Sequence, residues 1–235
     1  MTVREQADRL RALHHGPLLV LPNAWDVASA RAFAELPGCR AIATSSGAVA
    51  RSLGYEDGEG TPRDEMLRAV GRIVAAVELP VTADLEAGYG DPVGTAVAAL
   101  EIGAVGMNLE DSRSGAMVPV DEQVAIIRAV RAAAPELVLN ARVDLFLRSA
   151  GGVAEAVERG NAYLAAGADC VFPIFGDATE ELVRGIDGPV NVLVRPGTPL
   201  GELARIGVAR VTFGSGLAEA ALAEAVRLAG AALNP

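Results

Sequence analysis

Val81 to Gly90 reads V-T-A-D-L-E-A-G-Y-G, and this stretch decides how the rest of the chain is read. A short β-branched run ends in two carboxylates, Asp84 and Glu86. A glycine-rich turn follows, and Asp91-Pro92 opens a helix. Residues i and i+2 of a strand project to the same side. Both carboxylates therefore leave the strand's C-terminal end together. Like charges that face one way repel unless a proton or a cation lies between them. Taken alone, the stretch also fits a pair of solvated acids capping the next helix.

The same unit, a short apolar run followed by a helical pattern, recurs along the chain. Apolar runs at 18–22, 41–44, 80–84, 105–109, 137–141, 170–172, 190–194 and 210–213 predict eight strands. Amphipathic helices are expected at 63–77, 92–102, 120–133, 153–166, 178–185, 200–206 and 217–232, with another from N-A-W-D to about Leu36. Helix 63–77 shows the spacing well, with Met66, Leu67, Val70, Ile73, Val74 and Val77 close to a 3.6 period. Residues 3–14 form an amphipathic lead-in helix. The stretches 45–62 and 112–118 read as loops. Continuous apolar strands are those of a parallel sheet covered on both faces. Eight such units in 235 residues, with no composition break, predict one α/β domain over 1–235, a (β/α)8 TIM barrel. A doubly wound open sheet is the runner-up.

Composition excludes several chemistries. All 20 basic residues are arginine and none is lysine, so Schiff-base catalysis and a P-loop are ruled out. The two histidines, His14 and His15, precede the first strand, which argues against Ser-His-Asp or Cys-His catalysis. A net charge of −10 disfavours nucleic acid as a partner. Cys39 and Cys170 read as separate buried thiols of a reducing compartment. No apolar run reaches the ~18 residues of a membrane span, and the charged N-terminus does not resemble a signal peptide. The expectation is a cytoplasmic protein.

Barrel active sites lie at the C-terminal ends of the strands. The polar residues there are Asn23, Trp25 and Asp26 after the first strand, and Ser45, Ser46, Gly47 and Asp57 after the second. The third gives Asp84 and Glu86, and the fourth Asn108, Glu110 and Asp111. The fifth gives Asn140, Arg142 and Asp144, the seventh Arg195, and the eighth Gly214-Ser215-Gly216. Acids converging without lysine or histidine point to a hard divalent cation, Mg²⁺ or Mn²⁺, held mostly through waters. Arg142 can then take a substrate carboxylate by a two-pronged hydrogen bond. Asp26 and Asp144 equally suit helix caps.

L-P-N-A-W-D, T-S-S-G-A-V-A-R-S-L-G-Y-E-D-G-E, A-D-L-E-A-G-Y-G, N-L-E-D-S and N-A-R-V-D together resemble the isocitrate lyase and phosphoenolpyruvate mutase superfamily, from about Leu21 to Gly216. The resemblance implies an α-keto or 2-hydroxy acid substrate and a metal-stabilised pyruvate enolate, with C–C lysis, decarboxylation, or C–P mutase or hydrolase chemistry. It implies a Mg²⁺ shell of Asp57, Asp84, Glu86 and Glu110, with Asp84 as the direct ligand. Ser45, Ser46 and Gly47 would line the substrate carboxylate and carbonyl, and Arg142 would clamp it. Trp25, Asp57, Asn108 and Arg195 complete the expected substrate contacts, with Glu110, Arg142 and Arg113 as catalytic candidates. A homo-oligomer, dimer or tetramer, is implied too.

The chain departs from that pattern after the fourth strand. The superfamily's lyases carry K-[KR]-C-G-H there, with the cysteine as acid, and its mutases carry Lys and Asn. Here the loop is D-S-R-S-G-A-M-V-P, which points away from an isocitrate or methylisocitrate lyase. Arg113 and Ser114 are the only replacements in it. The loop is expected to be mobile and to close over substrate. The other readings are an inactive barrel that binds a carboxylate metabolite and a metal-dependent hydroxymethyltransferase.

Overall fold

Eight parallel strands close on themselves in the computed structural model, which describes residues 1–177 and 179–233. The first strand is split into β1 (Leu19–Leu21) and β2 (Asn23–Ala24) by Pro22, whose nitrogen cannot donate to the ladder. Around the barrel follow β3 (Ile42–Thr44), β4 (Val81–Asp84), β5 (Gly106–Glu110), β8 (Val138–Val143) and β9 (Cys170–Pro173), paired in parallel. A single bridge, Val171 to Val190, leads to β10 (Asn191–Leu193). β10 pairs with β11 (Arg210–Thr212), and β11 returns to β1. The predicted eight-stranded barrel is the observed fold.

The helices are α1 (Val3–Leu13), α2 (Val27–Ala34), α3 (Ser46–Leu53), α4 (Arg63–Ala75), α5 (Pro92–Glu101), α6 (Val120–Ala133), α7 (Val153–Ala166), α8 (Glu180–Gly185), α9 (Gly201–Arg205) and α10 (Gly216–Leu233). Ala178, where the sequence places the start of α8, lies outside the described residues. α1 begins with a Thr2–Glu5 capping box and buries Ala7, Leu10 and Leu13 against Leu19, Leu21, Ala41, Val105 and Val138. The lead-in helix thereby plugs the N-terminal end of the barrel. The larger core, which includes Ile42, Met107, Leu109, Ile127 and Tyr163, lies between strands and helices.

Two segments read as loops are ordered elements. Within 45–62, Ser45 accepts the Ala48 amide (3.3 Å) and starts α3, whose Ala48, Val49 and Ala50 are buried. The helix ends at Gly54 in the left-handed conformation. Glycine, serine and proline around it hide a helix of only eight residues. Within 112–118, β6 (Ser112–Arg113) and β7 (Ala116–Met117) pair antiparallel. Positive φ at Ser114 (49°) and Gly115 (84°) gives the two-residue turn whose twist suits a hairpin.

α10 differs from the other long helices in burying no residue. Leu222, Val226, Leu228 and Leu233 are all exposed. No helix among the described residues is long and apolar enough to cross a membrane. Cys39 and Cys170 are free thiols.

His14 follows α1 and is buried. Its Nδ1 donates to the Leu10 carbonyl at 2.9 Å, and Nε2 has no partner among the described residues. Burial and the nearby Arg210 charge push its pKa down to about 4. The unfolded chain, with a pKa near 6.5, then binds more protons than the native one at acid pH. Stability contributed by neutral His14 is full above about pH 6.5 and falls as pH drops toward 4, by up to about 3 kcal/mol. Chemical denaturation between pH 7 and 4 should show this slope in the parent protein and a shallower one in His14→Leu.

Candidate active site

The C-terminal ends of the strands enclose a cavity of about 510 Å³. On its floor Asp84 ends β4. Its Oδ1 accepts Asn108 Nδ2 (3.1 Å), and its Oδ2 accepts both the amide (3.1 Å) and the hydroxyl (2.9 Å) of Ser46. Asn108 is fixed in turn by Asn140 Nδ2 (2.8 Å). Ser46 Oγ also lies 3.2 Å from Asp57 Oδ1, which ties the loop after α3 to the floor. A Cβ on Gly47 would lie 2.7 Å from Asp57 Oδ2, so only glycine lets that carboxylate approach. Ser45 Oγ is 3.0 Å from Ser215 Oγ and joins the segments after β3 and β11, on either side of the first strand.

Glu86 and Glu110 stand behind Asp84 and do not line the cavity. Glu86, at φ 53°, accepts the Glu59 amide and the Tyr89 hydroxyl (3.0 Å). Burial, with the charges of Asp84 and Asp57, pushes its pKa up to about 7. Glu110 accepts Arg142 Nη1. Burial and the neighbouring acids hold Glu110 above the ordinary carboxylate range against the pull of Arg142. Burial also opposes the charge on Arg142, but Glu110 and Asp144 outweigh it and keep the guanidinium cationic.

Arg142 Nε donates to Asp144 Oδ1 (2.6 Å). With Nε bound there and Nη1 engaged by Glu110, the end carrying Nη2 remains to meet a carboxylate. Asp144 is thus no helix cap; it is fully buried, holds Arg142 and accepts Ser112 Oγ. Asp26 is a cap, with Ser29 completing the box at α2.

Arg142 faces Glu110, Asp144 and Asp84, Glu86 faces Asp84 and Asp57, and the buried Arg210 also lies near Asp84. Among the described residues no three His, Cys, Asp or Glu converge closely enough to hold a metal directly. The donor set therefore fits a hard cation on one carboxylate, with the remaining acids reached through water.

Two predicted residues lie elsewhere. Trp25 packs edge-on against Phe33 (6.1 Å between ring centroids) and lines a separate cleft with Asp26 and Arg72. Its place at a strand end is right, but its side chain turns outward, following the strand alternation after the split at Pro22. Arg113 sits on the β6–β7 hairpin and pairs with Glu122 at 3.3 Å on the surface, outside the cavity lining. Ser45, Ser46, Gly47, Asp57, Asn108, Arg142 and Arg195 do line the cavity. Sequence reasoning missed Glu59 and Tyr89 as partners of Glu86, and the apolar wall of Phe172, Leu193 and Phe213. A search of the inward positions of the last three strands could have found the wall.

A parallel α/β barrel with an acid-rich, lysine-free mouth defines the general class. The chain belongs to the phosphoenolpyruvate phosphomutase family, whose profile matches residues 10–233, within the isocitrate lyase/phosphoenolpyruvate mutase superfamily. It is 39% identical over 209 residues to an uncharacterized protein of Mycobacterium tuberculosis, covering 86% of this chain and 80% of that one. It is 32% identical over 182 residues to 2-methylisocitrate lyase of Bacillus subtilis, covering 72% of this chain but only 60% of the lyase. A crystal structure of 2,3-dimethylmalate lyase superposes with a TM-score of 0.85 at 26% identity, covering 99% of this chain and 85% of that one. Phosphoenolpyruvate phosphomutase from Streptomyces platensis gives 0.87 at 25%, covering 97% and 87%.

The hairpin expected to be a mobile lid is anchored at both ends. Asp111 Oδ2 accepts Tyr163 Oη (2.8 Å) and Arg159 Nη1 (3.2 Å). Arg159 Nη1 also donates to the Val118 carbonyl (3.0 Å), and the Val118 amide donates to the Asp111 carbonyl (2.8 Å). Removing one partner of a buried ion pair typically costs about 3–5 kcal/mol. Asp111→Asn should therefore lower stability by about 3 kcal/mol in denaturant titrations. It should also make the bond after Arg113 the first site of limited trypsin cleavage.

Proposed function

We propose that the protein is a Mg²⁺- or Mn²⁺-dependent lyase that breaks a carbon–carbon bond of a small 2-hydroxy or α-keto dicarboxylic acid through an enolate. The observation that carries this reading is the grip of Ser46 and Asn108 on Asp84 beside a cationic Arg142. Asp84 would bind the cation through the remaining lone pair of Oδ1, with Asp57, Glu86 and Glu110 acting through waters. When bound, the cation supplies a Lewis acid for the substrate carboxylate and its adjacent oxygen.

The chain's own groups orient the acid. The amide of Gly47 lies in the first turn of α3, where helices leave N–H groups unpaired, and it can hold a carboxylate oxygen. Nη2 of Arg142 meets the same group or the second carboxylate. In a 2-hydroxy diacid the hydroxyl proton passes to water and the C2–C3 bond breaks. The electron pair moves to the departing fragment as its enolate, which a proton from water quenches. A keto acid and a shorter carboxylate result.

C–P mutase or hydrolase chemistry is the second reading, supported by the family's name. A departing phosphoryl group calls for clustered cations, whereas Arg113 faces Glu122 and Arg51 pairs with Glu219 at 3.2 Å. The free thiols Cys39 and Cys170 suit a reducing compartment, which supports a cytoplasmic place of action. The exposed apolar side chains of α10 support a homo-oligomer in which a second copy of the chain covers this helix.

Calorimetry should detect Mg²⁺ binding to the parent protein and none to Asp84→Ala, whose circular dichroism stays native. Pyruvate release from oxaloacetate, phosphonopyruvate, alkylated malates or methylisocitrate with Mg²⁺ should single out a diacid. Equal Mg²⁺ affinity in both proteins would remove Asp84 from the metal site. Separately, light scattering should show the paired change Leu222→Ser and Val226→Ser shifting the protein toward monomer. An unchanged mass would exclude α10 from the subunit contact.

A further inference from the structure

Below the cavity floor the barrel interior carries a second layer of side chains. Residues i and i+2 of a strand share a face. The residues two places before the cavity-lining Asp84, Arg142, Phe172, Leu193 and Thr212 therefore also point inward. They are Thr82, Asn140, Cys170, Asn191 and Arg210, and none is more than 1% exposed. On β5 the layer is already full, because a Cβ on Gly106 would lie 2.7 Å from Thr82 Oγ1 and 2.9 Å from Leu10 Cδ2. α1 closes the layer from below, and His14 at its end feels the charge of Arg210.

Arg210 is among the largest fully buried side chains, and its Nε and Nη1 have no hydrogen-bond partner among the described residues. The other two interior arginines are paired: Arg142 with Glu110 and Asp144, Arg159 with Asp111 and Glu155. Arg210 pairs with no carboxylate among the described residues. Burial pushes its pKa down to about 10, which leaves it cationic at neutral pH. Asp84 acts on it from the layer above but is held by Ser46 and Asn108. Cys170 is a neutral thiol, its pKa pushed up to about 12 by burial, and His14 is neutral as well. A buried charge with no partner is strongly destabilising. Asn191 stands beside Arg210, in register on β10. Its Oδ1 accepts the Thr212 hydroxyl (3.3 Å), which leaves Nδ2 as a donor with no partner among the described residues. Three donor nitrogens on two adjacent side chains thus face the interior without an acceptor. Thr82 Oγ1 and Asn140 Oδ1, on β4 and β8, are unpartnered too and suit water. Water alone brings no charge to Arg210.

We propose that the barrel interior binds a small monovalent anion, of the class of chloride, held by Nε and Nη1 of Arg210 and Nδ2 of Asn191. A halide accepts several N–H donors at once and supplies the missing negative charge. The crowding of Leu10 and Thr82 at Gly106 leaves room for a single-atom anion and not for sulfate or phosphate. The ion ties β10 to β11 beneath the cavity, and its role is structural. The site is distinct from the acid cluster above it and stands whatever reaction the cavity performs.

Urea unfolding at constant ionic strength, with chloride replacing gluconate, tests the site in the parent protein. One bound ion per chain should raise the folding equilibrium constant about tenfold for each tenfold rise in chloride above its dissociation constant. Bromide should act in the same way. Arg210→Met should abolish the response by removing the charge. Asn191→Asp should abolish it by placing a carboxylate beside Arg210, and this variant decides the matter if Arg210→Met does not fold. Crystals grown in bromide should show one anomalous scatterer within hydrogen-bond distance of Arg210 and Asn191. A flat chloride response in the parent, an undiminished response in either folded variant, or bromide found only at the protein surface would each overturn the inference.

Discussion

An excess of negative charge at one end of the barrel is the constraint on which the site depends. Asp84, Glu86 and Glu110 act on one another, with Asp57 beside Glu86 and Asp144 beside Glu110, and Arg142 and Arg210 are buried cations near them. Burying like charges is expensive, and the protein meets the cost in two ways. Each carboxylate accepts hydrogen bonds from a fixed donor: Ser46 and Asn108 for Asp84, Tyr89 for Glu86, Arg142 for Glu110 and Asp144. The remainder appears as a Glu86 carboxyl that loses its proton only near neutrality. A divalent cation among these acids would remove the repulsion.

Barrel closure brings these groups together. Asp84, Asn108 and Asn140 occupy matching positions on three adjacent parallel strands, in register Asp84 to Asn108 and Asn108 to Asn140. Their side chains form one hydrogen-bonded row pointing into the barrel. The next step up the ladder pairs Glu110 with Arg142 across the same two strands, so the ion pair is a direct result of register. A slip of one residue would turn every member of both rows away from the cavity. Below, α1 fills the opposite mouth of the barrel with Leu10 and Leu13, which leaves the C-terminal end as the open face.

A second buried network stands behind the first. Asp111, Arg159 and Tyr163 hold the two ends of the β6–β7 hairpin, and Ser112 at its base donates to Asp144, the residue that orients Arg142. The hairpin and Arg142 are thus mechanically joined through one aspartate. Any displacement of the hairpin base reaches Arg142 by a path of two hydrogen bonds.

The barrel was legible in the sequence because strand and helix periodicity are local, and eight repeats of one unit leave few ways to close a parallel sheet. The placement of Asp84, Asn108 and Arg142 at one cavity was legible for the same reason, since strand ends point to one face. The helix Ser46–Leu53 was hidden because its glycine and serines carry loop propensity, whereas burial of Ala48, Val49 and Ala50 stabilises it. Arg113 and Trp25 follow strand ends, yet a hairpin turn carries Arg113 to the surface and Trp25 packs on Phe33 outside the cavity. Sequence by itself determined which residues stand on each strand and in what alternation. Only the tertiary structure decided which acids face the cavity and which stand behind it, because hydrogen bonding and desolvation are set by neighbours distant in the chain.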